Sequence, residues 1–371
     1  MRNLKKIAIL ALIGIMSTAL LNGATNTGTA RRTTKSSTKN VQKTPISIKK
    51  QGIFSAGGTV ITSPGTFNPE DQWEATGKGQ TAYVDHANVF YQLPQNEKGV
   101  PMVFLHGYGQ SRTGWQTTPD GREGWSDIFL RKGHSVFLID NPRRGAAGAT
   151  SVAGDMTPKT LNQRWYTQFR IGRWENGKSV AYKGSQFPND DASVEQFFRQ
   201  MTPDTGMKSD MGADFDGEMV AKAVAASIDK AYEMTGKKPV LVTHSQGGRA
   251  GWLVPKYTDN VGAIVAVEPG GAPVSTTEEF KVMADKNIPV IMYFGDYIDN
   301  GDPKIQATAL WKNMRQTTYD FEKAYKALGK NAVVIDLPKI GIYGNDHFIF
   351  QDLNNDIVAE HLEKRIKINV K

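Results

Sequence analysis

The chain has no cysteine among its 371 residues. That excludes disulfides, a thiolate nucleophile and a lipid-modified cysteine behind a leader, so stability has to come from an apolar core. Metal-ligand spacing is missing as well. No cluster of His, Asp and Glu has it, and the acidic stretch Asp352 to Asp356 lacks the glycine turn of a calcium loop. There is no phosphate-cradling G-x-x-x-x-G-K. Neither a metal nor another cofactor is expected. Acidic residues are absent from the first 50 positions, which carry ten Lys or Arg. The remainder holds 35 basic against 37 acidic residues, so the formal charge of +8 belongs to the N-terminal stretch and the body has no basic footprint for nucleic acid.

What is present begins with targeting. Arg2, Lys5 and Lys6 precede an apolar run from Ile7 to about Leu21, with small Gly23 and Ala24 behind it. This is the layout of a secretory signal peptide, placed at residues 1–24. The run is shorter than the ~20 residues a bilayer span needs. No stable membrane insertion is expected after cleavage, and the mature chain is expected to be secreted or periplasmic. Residues 25–50 are mostly Thr, Ser, Lys and Asn and cannot bury enough surface to order themselves, which reads as a flexible basic tail. Residues 51–371, with ample apolar content for one large domain, form the body.

Within the body, Gly52 to Thr62 and Thr81 to Leu93 read as an antiparallel edge. Buried strands follow at Val100 to Leu105, His134 to Ile139, Val240 to Val242, Val261 to Val267, Ile288 to Phe294 and Ala332 to Leu337. Helical patterns alternate with them, most clearly Gly217 to Glu233 and Ile305 to Leu328. This alternation predicts a largely parallel, doubly wound α/β sheet. The rhythm breaks between about residues 146 and 212, a polar segment studded with Trp165, Tyr166, Phe169, Trp174, Phe187, Phe197 and Phe198. Before it, Arg143 and Arg144 sit at a turn, where a solvated role is expected over binding of a substrate carboxylate.

The chemical signal is K-P-V-L-V-T-H-S-Q-G-G-R-A-G, ending at Gly251. An apolar strand stops at Ser245, and small residues behind it let a helix start at once. Such a turn needs small neighbours two positions either side of the serine; Gly247 supplies one, and Thr243 stands in for the other. A second loop, H-G-Y-G from His106, follows the Val100 to Leu105 strand. A third, G-N-D-H-F, carries His347 after the last strand. His361 sits mid-helix and reads as exposed. His244 is expected to point away from its neighbour Ser245 and pack against the sheet.

These residues resemble the α/β-hydrolase superfamily over most of residues 52–371, and most closely its secreted bacterial serine esterases with a Ser-Glu-His triad. The resemblance implies Ser245 as nucleophile, His347 as base, and an oxyanion hole from the amides of Tyr108 and Gln246. It also implies that the insertion at about 146–212 is a cap, with Trp165 and Phe169 either facing the substrate or packing in the cap's own core. Glu268, behind the strand next to the nucleophile strand, is the expected triad acid, with Asp296 or Asp299 one strand later as the alternatives. The implied activity is hydrolysis of a small-molecule carboxylic ester through an acyl-enzyme. A serine peptidase or amidase with the same triad, or a non-catalytic envelope polysaccharide-binding module, remain the alternatives.

Overall fold

The computed structural model describes residues 44–370 except 72, 74, 155, 157–160 and 207–214. The expected signal peptide and most of the expected tail lie outside the described residues. The strands are β1 (Ile48–Ala56), β2 (Thr59–Thr62), β3 (Thr81–Val84), β4 (Ala87–Pro94), β5 (Met102–Leu105), β6 (Val136–Asp140), β7 (Gly172–Glu175), β8 (Lys178–Ala181), β9 (Val240–His244), β10 (Ala263–Val267), β11 (Val290–Phe294) and β12 (Ala332–Asp336). The helices are α1 (Thr113–Gln116), α2 (Trp125–Arg131), α3 (Asn162–Gln168), α4 (Asp191–Arg199), α5 (Gly217–Thr235), α6 (Gln246–Gly251), α7 (Glu278–Asp285), α8 (Gln306–Ala327) and α9 (Asn355–Asn369).

Eight strands form one sheet in the order β1-β4-β6-β5-β9-β10-β11-β12. The pairs from β6 onward are parallel, whereas β1 with β4 and β4 with β6 are antiparallel. The parallel strands are apolar on both faces because helices cover both. Alternation with period two sends Phe104, Val242 and Val265 into one core layer with Trp115, Trp125 and Phe129. Val103, Leu241 and Ile264 enter the other, against Val220, Val224 and Ile228 of α5.

The N-terminal edge departs from expectation. β1 begins at Ile48, so Lys49 and Lys50 belong to the sheet rather than to the tail, with Lys50 in register with Leu93. An outermost strand has one solvated face and edge, which is where lysines are tolerated. The strand also breaks after Ala56, and β2 pairs instead with β3 in a separate two-stranded sheet.

Between β6 and α5 the described insertion contains α3, the β7–β8 pair and α4. Its aromatics largely pack together: Phe187 lies edge-on to Phe197 at 5.3 Å, and Tyr166 edge-on to Trp174 at 5.8 Å. The base of the insertion corrects the expectation for Arg143 and Arg144, since both are buried. Arg143 Nε donates to Asp85 Oδ1 at 2.8 Å, and Ser151 Oγ also donates to Asp85. Arg144 Nη1 donates to the Thr202 carbonyl at 2.9 Å and its guanidinium lies 5.4 Å from the centre of the Tyr108 ring. A turn that looks exposed in sequence is covered because the insertion returns across it, and a covered arginine must find acceptors.

The Asp85–Arg143 pair yields a stability prediction. Hydrogen bonds from Arg143 and Ser151 outweigh burial and hold the Asp85 carboxyl below its usual 3.8. A depressed folded-state pKa adds stability that is present above the unfolded value and lost as pH falls through the folded one. Asp85→Ala should therefore cost about 3–5 kcal/mol at pH 7, the range for orphaning one member of a buried pair. The deficit against wild type in thermal unfolding should shrink below pH 3.8; a deficit independent of pH would refute the assignment.

Candidate active site

Ser245 occupies the junction of β9 and α6 with φ 51° and ψ −119°, a conformation rarely adopted by a residue with a side chain. The turn is held by its own backbone: Ser245 N donates to the Val267 carbonyl at 3.0 Å, and Gly248 N to the Ser245 carbonyl at 2.9 Å. A side chain at Gly247 would collide with the His106 carbonyl oxygen. Thr243 fits as the penultimate residue of β9, fully buried. Gln246 opens α6, where the first backbone N–H groups have no partner within the helix.

Glu268 follows β10, adjacent to β9 in the sheet, and is completely buried. Its Oε1 accepts from Arg170 Nη2 at 2.6 Å and from Gly295 N at 2.5 Å. Its Oε2 lies 3.3 Å from His347 Nδ1. The other ring nitrogen, His347 Nε2, is buried without a hydrogen-bond partner among the described residues. Burial, followed by the nearby Arg170 charge, lowers the His347 pKa well below the usual 6.5. The imidazole is therefore neutral at neutral pH, with one nitrogen beside a carboxylate and the other unoccupied.

His347 comes from the loop after β12 and has to cross β11 to meet Glu268. It does so because the residue that follows β11 is Gly295. A side chain there would sit 2.6 Å from the carbonyl oxygens of both Asn345 and Asp346. The insertion grips the same loop from the opposite side: the Phe169 carbonyl accepts from His347 N at 3.1 Å, and the Gly344 carbonyl from Gln186 N at 2.7 Å. The Phe169 ring stacks on the imidazole at 4.8 Å, with Trp311 at 4.3 Å from a second direction. Within the loop, Asp346 Oδ1 accepts from Phe348 N at 2.5 Å, and Asp352 Oδ2 accepts from Asn345 Nδ2 at 2.8 Å. Burial pushes the Asp346 carboxyl up to about 7.

The two aspartates weighed against Glu268 are engaged elsewhere. Asp296 accepts from Tyr297 N and Gly344 N, and Asp299 is paired with Arg315 at the surface. His244 is buried, with Nδ1 2.9 Å from Gln110 Oε1 and Nε2 3.0 Å from the His347 carbonyl, so it braces the loops beneath the serine. His361 is half-buried rather than exposed, with Nδ1 2.9 Å from the Tyr293 hydroxyl.

Ser245 opens into a cavity of about 330 Å³ whose walls include Tyr108, Trp165, Phe169, Trp311 and Met314. Trp165 and Phe169 both line this cavity and pack on neighbouring aromatics, Trp165 against Tyr108 at 5.2 Å. The structure thus brings together Ser245, Gln246, Tyr108, Trp165 and Phe169 around one space, with the His347–Glu268 pair behind Phe169. Sequence reasoning missed Arg170, Trp311 and the closing role of Gly295. Arg170 and Trp311 carry no motif, and both reach the site from segments distant in sequence.

Comparison with known proteins bears on the fold and family. Residues 102–328 match the alpha/beta hydrolase family. The chain is 28% identical over 317 residues to a probable secreted lipase, phiG, of a fungal species (strain ATCC 74256), covering 72% of this chain and 82% of the relative. It is 29% identical to a bacterial esterase of known structure described as novel, which superposes with a TM-score of 0.70 over 89% of this chain and 98% of that one. With the family match covering more than half of its length, and the doubly wound sheet and elbow in place, the chain belongs to the alpha/beta hydrolase family.

Proposed function

We propose that this hydrolase is an exported serine esterase that cleaves a small carboxylic ester through an acyl-enzyme. The observation that carries the reading is a strained serine on a cavity lined by Phe169 and Trp311, rings that pack on a buried imidazole with one nitrogen unpartnered among the described residues and the other beside a carboxylate held by Arg170. The names of the secreted lipase and the bacterial esterase support the ester and the export.

In the proposed reaction Ser245 Oγ attacks the ester carbonyl while His347 Nε2 takes its proton. Glu268 fixes the tautomer by accepting from Nδ1–H and stabilises the imidazolium as it forms. Negative charge on the carbonyl oxygen is met by the amides of Gln246 and Tyr108, donors set by the elbow and the neighbouring loop before substrate arrives. His347 returns the proton to the departing alkoxide. Water then attacks the acyl-serine with His347 again as base, releasing the acid and regenerating Ser245. Trp165 and Phe169 contribute apolar walls for the substrate.

Ser245→Ala should remove both fluorophosphonate labelling and hydrolysis of aryl esters, with a loss on the order of 10⁴-fold or more in kcat. Wild-type rates in that variant would sink the nucleophile assignment. Glu268→Gln should lower kcat by roughly 10²–10⁴-fold with little change in KM, because orientation of the base matters most in the transition state. Asp296→Asn and Asp299→Asn, made in parallel, should not reproduce that loss; a kcat collapse in either would move the acid to the later strand.

The pH profile offers a further check. The base must be neutral, and burial with the Arg170 charge lowers its pKa, while the Glu268 charge that would otherwise raise it is matched by Arg170. The acidic limb of kcat/KM should accordingly fall below pH 6.5. A limb centred above that value would contradict a buried, neutral His347.

A further inference from the structure

Four residues behind the serine, α6 carries an arginine that packing does not require. Gly247, Gly248, Ala250 and Gly251 are buried and small, as a helix pressed against the sheet must be, whereas Arg249 is exposed. Its side chain forms part of the wall of the Ser245 cavity. Together with Gly270 and Met314 it also lines an adjoining cleft that contains Phe215 and Trp252. Its guanidinium lies 5.9 Å from the centre of the Phe215 ring, which supports it from one side and leaves its N–H donors available. No hydrogen bond or ion pair engages it among the described residues. The adjoining cleft contains three acids among the described residues: Glu218 is taken by Lys256 and Tyr257, Asp216 caps α5, and Glu279, in the first turn of α7, lines the cleft without an ion pair to Arg249.

Among the described residues, the walls of the serine cavity include two arginines, Arg164 and Arg249, and no carboxylate. Arg164 is held by Gln168 on its own helix. Around them the lining is mostly aromatic and aliphatic, and both arginines are exposed, so their charge reaches a ligand through a field that solvent and salt partly screen. Such a site favours a substrate that brings the missing negative charge, and a guanidinium fork suits a carboxylate in particular. Helical rise places Arg249 about 6 Å along the axis from Ser245, so the charge belongs several bonds away from the scissile carbonyl.

We propose that Arg249 is a specificity-determining residue and that the substrates are esters carrying a carboxylate a few carbons from the cleaved bond, as in a hemiester of a dicarboxylic acid. This rests on the esterase reading. The neutral alternatives of equal length are bound by the same apolar walls but leave the arginine unmatched.

The test compares 4-nitrophenyl hydrogen adipate with 4-nitrophenyl hexanoate on the full-length chain, its Arg249→Gln and Arg249→Glu variants, and wild type at low and high salt. The ratio of kcat/KM values for the charged over the neutral ester should exceed about 10-fold in wild type. It should collapse in Arg249→Gln, invert in Arg249→Glu and decline with added salt, as screening requires. A wild-type preference for the neutral ester, or a ratio unaffected by both substitutions, would overturn the proposal. Calorimetric binding of the adipate ester to Ser245→Ala, with and without Arg249→Gln, reads the arginine independently of turnover. Loss of binding with Arg249→Gln supports the anion site even if no ester is hydrolysed, a result that would instead count against the esterase reading. Equal binding refutes the anion site.

Discussion

A carboxylate sealed in an apolar interior cannot remain charged without partners, and Glu268 is such a group. Its solution organises this protein. Arg170 supplies the counter-charge at 2.6 Å and Gly295 an N–H at 2.5 Å, both to Oε1, which leaves Oε2 for the imidazole. Each partner comes from a different part of the fold: the insertion, the end of β11 and the loop after β12. Removing any one of them exposes the others to a desolvation cost they were arranged to avoid. The backbone bears part of that arrangement, since Glu268 and Arg170 both adopt positive φ, at 49° and 65°.

The placement of Glu268 beside the imidazole follows from strand order. Ser245 and Glu268 end neighbouring parallel strands, so they lie side by side at the carboxyl edge of the sheet. A histidine from beyond β12 must then pass over β11 to reach them, and the glycine that follows that strand, Gly295, leaves the space for its loop. The residue after Gly295, Asp296, is consumed in anchoring the same loop through Gly344 N. The longer glutamate one strand inward spans the remaining gap.

The insertion plays two parts at once. Its aromatic residues form their own packed layer, yet Phe169 and Arg170 leave that layer to touch His347 and Glu268 from above. The same segment that shapes the cavity thereby flanks the imidazole and supplies the counter-charge to Glu268. Trp311, from α8, completes the enclosure and also lies beneath the Arg170 guanidinium at 5.0 Å. Exclusion of water and orientation of the imidazole are in this way properties of one set of contacts.

The sequence by itself determined the elements that local chemistry dictates. Apolar runs of five residues separated by amphipathic helices can fold only as a covered parallel sheet, and a serine between a buried strand and a run of small residues can only be a sharp turn. Ser245, the H-G-Y-G loop and the candidacy of His347 were legible for that reason. Tertiary structure alone decided what depends on chain segments meeting across long separations. That includes the contacts that hold Glu268 beside the imidazole, the burial of Arg143 and Arg144 under the returning insertion, and the extension of β1 through Lys50. It also includes Arg170, which follows the candidate Phe169 but carries no local sign of its partner Glu268. A pairing between residues 98 apart, as for Arg170 and Glu268, has no local periodicity or turn chemistry to betray it, because its energy arises only once both groups have lost their water.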